Sequence, residues 1–508
     1  MTASLTHDPQ NAADPTTRPP LTRATKFFYG MGAMGSAAQA QLLGLLLIFY
    51  NQLVGLPAPW VSAALAISIF IDAFWDPVVG QMSDNTHTRW GRRHPYIYGA
   101  ILPAAICFAL LFMPPHGWSN QAVFLYLLVM VLGMRLFGSL CEIPARALAP
   151  ELTQNYDERT TVQSYRFLFQ TVVGGLVATL LGFGYFLRAT RTEAFGQFNR
   201  AGYAPYAVSI AVISVIVVVA SAMATQRYIP YLHRPPRRKT DFLAMGRVMG
   251  TALSNRNFVS LASSSLIFGV AVGISGGLGF YFDTYVFELG SKALFVLRLW
   301  VLPAALAGVL LAPVIGRALD KKRACLVVFF TAIASTVVPL GGWLLGLMPP
   351  HAPWVLPVLI VDRMAITALA TTGFIIVSSM ISDVVEASQL RTGRRSEGLL
   401  YAAESLVQKI STSFAALVPG LLLAAVAFPA HVRPGQVPAE TLKHLILIYL
   451  PTYTVLTLCS TSALMFYRID RGQHEDNLRR LQDAAALEEA GDASLETADG
   501  PGAVIHPA

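Results

Sequence analysis

The chain has 508 residues, 54% of them hydrophobic and 13% charged, and a formal net charge of +8. Soluble domains carry about 25% charged residues, so this composition, with a mean hydropathy of +0.53, excludes an ordinary soluble globule and implies repeated bilayer crossings. The basic excess does not describe a nucleic-acid surface, because the Lys and Arg residues fall in short loops between apolar runs.

Residues 1–26 are polar and proline-rich. They lack the apolar core of a cleaved signal peptide, so we expect an N-terminal tail. Twelve apolar spans are predicted after it, at 27–53, 58–82, 95–114, 120–149, 161–188, 204–226, 258–288, 293–316, 324–347, 353–381, 397–428 and 441–467. They divide into six-helix bundles over 27–226 and 258–467, joined by the basic segment 227–257, with an acidic tail over 468–508. Alternate loops are rich in Lys and Arg, whereas 54–57, 115–119 and 348–352 carry none. Positive charge is retained on the cytoplasmic side, which predicts both termini there.

The first span holds Gly32, Gly35 and Gly44, which suit close helix contacts, and the polar residues Ser36, Gln39 and Gln41. The second span carries the most informative pair, Asp72 and Asp76 in Ile71-Asp-Ala-Phe-Trp-Asp-Pro77. Spaced i and i+4, they share one helix face. A carboxylate inside a membrane costs at least about 2.5 kcal/mol and calls for a cation, a proton or a basic partner. Two of them on one face supply oxygen ligands for a monovalent cation, or share a proton. The plainer alternative is an ion pair that locks helices together.

The span ends in Asp84-Asn-Thr-His-Thr-Arg-Trp-Gly-Arg-Arg-His-Pro95. Asp84, Arg89, Arg92 and Arg93 around a glycine turn predict a charge latch between helix ends, with His87 and His94 in solvent. The fourth span contains Ser139, whose hydroxyl is placed to complete a cation site, and Glu142, an acceptor for substrate hydroxyls; Pro144 should kink it. Packing and a structural ion pair are the respective alternatives. Arg166 begins the fifth span as a counter-ion for Glu142, a substrate ligand or a snorkelling anchor.

In the second half, Pro313-Val-Ile-Gly-Arg-Ala-Leu-Asp320 echoes Pro77-Val-Val-Gly-Gln-Met-Ser-Asp84 at an offset of 236 residues. Both copies close a span, the eighth and the second, which argues for duplication. The positions equivalent to Asp72 and Asp76 are Gly308 and Ala312, so the acidic pair is not a scaffold feature. Glu404 and Gln408 are spaced to line a cavity in the eleventh span, and Lys409 needs an acidic partner, which the other half offers. Arg135, Arg298, Asp362 and Arg363 are further charges in or near the spans, read as gating or structural. Cys107, Cys141, Cys325 and Cys459 lie in apolar stretches and read as small hydrophobes. There is no Walker motif, nucleophile–base set or metal-ligand spacing, which argues against ATP-driven transport, a bound cofactor or an enzyme.

Together these motifs resemble the glycoside–pentoside–hexuronide:cation symporters (melibiose permease-like) of the major facilitator superfamily. The resemblance covers roughly 27–467. It is carried by Asp72-Ala-Phe-Trp-Asp-Pro77, Thr88-Arg-Trp-Gly-Arg-Arg-His-Pro95, Glu142-Ile-Pro144, Asp383-Val-Val-Glu386, Arg391-Thr-Gly-Arg-Arg-Ser-Glu-Gly398 and Val407-Gln-Lys409. It implies an all-α membrane fold of two pseudo-symmetric six-helix halves. It implies secondary active transport, by alternating access across a bacterial-type inner membrane, of a sugar, glycoside or uronide coupled to Na+ or H+. By position, Asp72 and Asp76 match cation-binding acids, which would ligate Na+ if sodium is the coupling ion, and Ser139 stands where a threonine contributes. Glu142, Arg166 and Lys409 fall at or near the sugar site, and Asp320, Asp383 and Arg394 join the gating charges. Ser36 replaces a sugar-binding aspartate, with Gln39 nearby, so the sugar clamp is altered. The expected partners are a small solute, the coupling cation and lipid, with the chain a monomer. An exporter, or a carrier of an amphipathic lysolipid-like solute, is the alternative on the same fold.

Overall fold

The computed structural model describes residues 20–469 apart from 154, 192, 233–249, 251–254 and 393–396, together with scattered positions between 472 and 483. The regular elements among these residues are all helical. Eleven are long and apolar enough to cross a membrane. We number the spans α1 (Arg23–Val54), α2 (Ala58–Asn85), α4 (Asn120–Leu152), α5 (Glu158–Phe186), α6 (Arg200–Gln226), α7 (Arg256–Val286), α8 (Ser291–Ala318), α9 (Lys321–Leu344) and α12 (Ala439–Met465), counting α3 between α2 and α4. Helices α10 (Val355–Thr392) and α11 (Glu397–Ala425) complete the second half. Helix α3 (His94–Leu110) has 17 residues, at the lower limit for a crossing. Large apolar side chains such as Leu125, Ile216, Leu310 and Val314 remain exposed on the outside of the bundles, as a lipid-facing surface requires.

Helix ends follow local chemistry. Pro95 occupies the first turn of α3, where a missing N–H costs nothing. Ser119 caps α4 by accepting from the Ala122 N–H, and Asn255 caps α7 by accepting from Asn257 and Phe258. Helix α1 is not one rod: it breaks at Gly32–Ala33 and again at Gly44–Leu45. It ends in a wide π turn over Phe49–Val54, closed by Gly55. Pro144 lies inside α4, which continues through it to Leu152.

The packing repeats. Helix α1 packs on α5 and α6, α2 on α4, and α3 on α4 and α6. The same neighbours recur as α7 on α11 and α12, α8 on α10, and α9 on α10 and α12. The halves meet along two seams that the same exchange interconverts, α2 against α11 and α8 against α5. Gly308 explains why α8 carries no acid there: a Cβ would lie 2.4 Å from the Ala368 carbonyl of α10. That helix contact leaves no room for a carboxylate.

The ends of α1 and α12 near Arg23 and Met465 share one face, here called the terminal face. Bonds between the halves gather toward the opposite face. Gln52 donates to the Pro429 carbonyl (3.0 Å) and accepts from the Val432 N–H (3.2 Å). Tyr281 donates to Asn51 (3.0 Å), Gln197 donates to the Leu289 carbonyl (3.0 Å), and Arg433 pairs with Glu193 (2.8 Å). Along the α2–α11 seam the halves are also joined by Ser413 donating to the Ala66 carbonyl (2.8 Å) and by Lys409 with Asp72 and Asp76.

Candidate functional site

Helix α2 presents Asp72 and Asp76 toward α4 and α11. From α4, the Ser139 hydroxyl lies 2.8 Å from Asp72 Oδ1 and 2.7 Å from Asp76 Oδ1. One hydroxyl holds one proton, so it donates to only one carboxylate at a time. From α11 of the other half, Lys409 Nζ donates to Asp72 Oδ2 (2.8 Å), to the Asp72 carbonyl (3.2 Å) and to Asp76 Oδ2. Arg135 of α4, held by Ser68 at 3.1 Å, adds a second positive charge within electrostatic range of both acids. Two carboxylates and two cations thus form a charge-balanced cluster at the α2–α11 seam. The Lys409 ammonium lies between the two acids.

Glu142 is engaged elsewhere. Its Oε1 accepts from Arg166 of α5 (2.6 Å) and from Arg146 one turn on (2.8 Å). Arg166 lies over the Tyr29 ring at 5.7 Å, and the Tyr29 hydroxyl donates to the Ala145 carbonyl (2.8 Å). On one side of Arg166 is a small cavity of about 30 Å³. On the other is a space of about 380 Å³ bounded by Arg146, Gln163 and Gln170.

The remaining candidates are dispersed. The Ser36 hydroxyl donates back to the Ala33 carbonyl (3.0 Å), and Gln39 makes no hydrogen bond among the described residues. Gln408 donates to Glu404 (3.0 Å) on an exposed stretch of α11. Several of the predicted latch charges have partners within their own halves. Arg92 and Arg93 reach Glu151 at the end of α4, Arg93 at 2.5 Å, and both lie about 3.5 Å from Asp84. Burial lowers the Arg93 pKa, against the opposing pull of Glu151. Arg89 stacks on Trp90 (5.7 Å). In the second half, Lys321 holds Asp383 at 2.7 Å beside the Tyr467 hydroxyl, and Asp320 occupies the N-cap position of α9 without a side-chain capping bond. Arg394 lies outside the described residues. His94 is not in solvent: it is fully buried, 3.0 Å from the Thr225 hydroxyl, because Pro95 starts α3 and turns the ring toward α6.

Three residues escaped the sequence reading. Tyr29 and Glu151 lie at membrane edges, where a tyrosine or a carboxylate is unremarkable. Asp283, inside the predicted seventh span, did carry a signal: an acid in an apolar run. It is buried and faces Arg363 at 3.5 Å.

The family model for MFS/sugar transport protein matches residues 28–471. The "uncharacterized symporter sll1374" of Synechocystis is 25% identical, over 90% of this chain and 96% of its own. The isoprimeverose transporter of Lactiplantibacillus pentosus is 24% identical, over 93% of this chain and 95% of its own. A solved structure of a mutant nucleoside transporter NupG superposes with a TM-score of 0.61 at 14% identity. It covers 87% of this chain and all of that one, and it supports the fold alone.

Proposed function

The chain belongs to the MFS/sugar transport protein family and is a multi-pass membrane transporter, and within that class we propose a cation-coupled symporter of a sugar, glycoside or uronide. The observation that carries this reading is Lys409 lodged between Asp72 and Asp76 from across the seam. A cation entering the acid pair has to displace the ammonium, which belongs to the other half. Cation occupancy is thereby tied to the packing of α2 against α11, the contact that must change when the halves rock. The relatives named as a symporter and as an isoprimeverose transporter support the class of chemistry.

In this reading the terminal face is cytoplasmic, as the basic loops favour. The structure then corresponds to a carrier closed to the outside. Na+ or H+ at Asp72, Asp76 and Ser139 frees Lys409 and favours solute binding near Glu142 and Arg166. Each ligand favours the state the other binds, which is all that coupling requires. The Glu142–Arg166 pair supplies acceptor and donor atoms for hydroxyls, and Arg146 is the mobile partner that a solute replaces. The charges Asp84, Arg92, Arg93, Lys321 and Asp383 hold helix ends within each half so that each moves as a body.

The test is accumulation of a solute panel in proteoliposomes under imposed Na+ or H+ gradients. The reading expects gradient-dependent uptake of at least one glycoside or uronide. Equal uptake with and without both gradients would refute coupling.

A further inference from the structure

We propose that the cavity inside the C-terminal half is a subsite for an anionic group, a carboxylate or sulfonate, on a hydroxylated solute, with Arg298 and Arg363 as its ligands. The inference deepens the transport reading and rests on it for placing the cavity on the solute path. The cavity has a volume of about 310 Å³ and lies among α7, α8, α9, α10 and α12. That is the lower end of the size range of small-molecule sites.

One wall is unusually bare. Gly276 and Gly279 of α7 line the cavity, and a Cβ added at either would meet nothing within 4 Å. One turn on, α7 widens into a π segment over Phe282–Val286 that aims Asp283 at the same space. Hydroxyl groups of Ser275, Ser335 and Thr336 complete the polar lining.

The charges on the wall are two guanidinium groups and one carboxylate. Arg298 makes no hydrogen bond or ion pair among the described residues; it lies over the Phe280 ring at 5.6 Å. Arg363 touches Asp283 through a single 3.5 Å contact. Most of the ten N–H donors of the two forks are therefore unspent. Asp362 lies within electrostatic range of Arg363 but does not line the cavity. A guanidinium at membrane depth calls for a partner, and paired forks match the planar oxygens of a carboxylate or the tripod of a sulfonate. Asp283 is the resident anion that holds Arg363 when the subsite is empty.

The duplicated scaffold does not require this arginine. Arg298 corresponds to Ser62 in the second span, whose hydroxyl accepts from the Gly420 N–H at the α2–α11 seam. Arg298 also lies ten residues along α8 from Gly308, the equivalent of Asp72. At about 1.5 Å per residue, the anion would sit roughly 15 Å nearer the opposite face than the cation pair. Anion and cation thus have separate addresses at different depths.

The test is equilibrium binding to the purified full-length chain without any gradient. The probes are glucuronate, its neutral isostere glucuronamide, and 2-hydroxyethanesulfonate. Wild type should bind one of the two anions at least tenfold more tightly than glucuronamide. Preference for glucuronate assigns a carboxylate and preference for the sulfonate assigns a sulfonate. Arg298→Gln should erase the preference without lowering the ligand-free melting temperature. Gly279→Leu, placed in open space, should remove binding by filling the cavity, and it serves if Arg298→Gln folds poorly. Absence of anion binding, no preference over glucuronamide, or full anion binding by Gly279→Leu or by folded Arg298→Gln would each overturn the subsite. Gradient-driven uptake of a neutral solute alongside such a result leaves the symport reading standing. Anion binding without gradient-driven uptake overturns symport alone.

Discussion

Lys409 joins the two halves at the acid pair. Its ammonium meets Asp72, Asp76 and a backbone carbonyl, so it competes with any cation for the same oxygens. Lys409→Gln removes the competitor and leaves two carboxylates against Arg135 alone. We expect it to bind the coupling cation about tenfold more tightly, roughly 1.4 kcal/mol, while gradient-driven accumulation collapses. Na+ and pH titrations of the melting temperature read the first effect, and unchanged affinity would count against the competition. Ser139→Ala removes a hydroxyl that contacts both acids. A hydrogen bond to a charged group contributes about 1.5–3 kcal/mol, so cation affinity should fall by about tenfold to a hundredfold, with Ser139→Thr restoring it. Asp72, Asp76, Ser139 and Lys409 were all legible in the sequence, because a charge in an apolar run announces that it needs a partner. The particular partner was less legible. Glu142 pairs with Arg146 as well as with Arg166, and the Ser36 hydroxyl satisfies its own helix. Asp283 carried the same signal as Asp72 but had no second acid one turn away, and its partner Arg363 is contributed by a helix 80 residues away.

At the scale of elements, the turn between α2 and α3 depends on Gly91, whose φ of 77° places it in the left-handed region. A side chain there costs about 1–2 kcal/mol in backbone strain, and its Cβ would press on Ile229 at 3.0 Å. Gly91→Ala should therefore lower the melting temperature while leaving solute affinity unchanged; a loss of affinity at unchanged stability would contradict a purely scaffold role. The glycine turn and its arginines were legible as a charge cluster. Their partners were not, since loop charges reveal sign and not partner. Arg92 and Arg93 close on Glu151 of the same half, and Lys321 closes on Asp383 of its own half. These contacts stiffen each bundle, and the joint between bundles lies in the α2–α11 and α5–α8 seams. The internal echo was legible because both copies end equivalent helices. The glycine at 308 adds the physical reason that the position equivalent to Asp72 carries no acid.

For the whole molecule, closure on the face opposite the termini rests on polar contacts that include Arg433 with Glu193 and Gln52 with Val432. A cysteine placed at Thr367, on the C-terminal cavity wall, should react with a membrane-impermeant thiol reagent faster from the terminal face. Adding Arg433→Ala should raise labelling from the other face several-fold by loosening the seal; equal labelling in both backgrounds would show that this pair does not gate the cavity. In the proposed cycle, cation entry at Asp72 and Asp76 drives solute accumulation. Its most direct test is uptake of a glycoside and uronide panel in proteoliposomes with imposed Na+ or H+ gradients, comparing wild type with Asp76→Asn. Wild type should accumulate solute, and the variant should lose accumulation while solute exchange persists. Accumulation by Asp76→Asn at the wild-type level would contradict it.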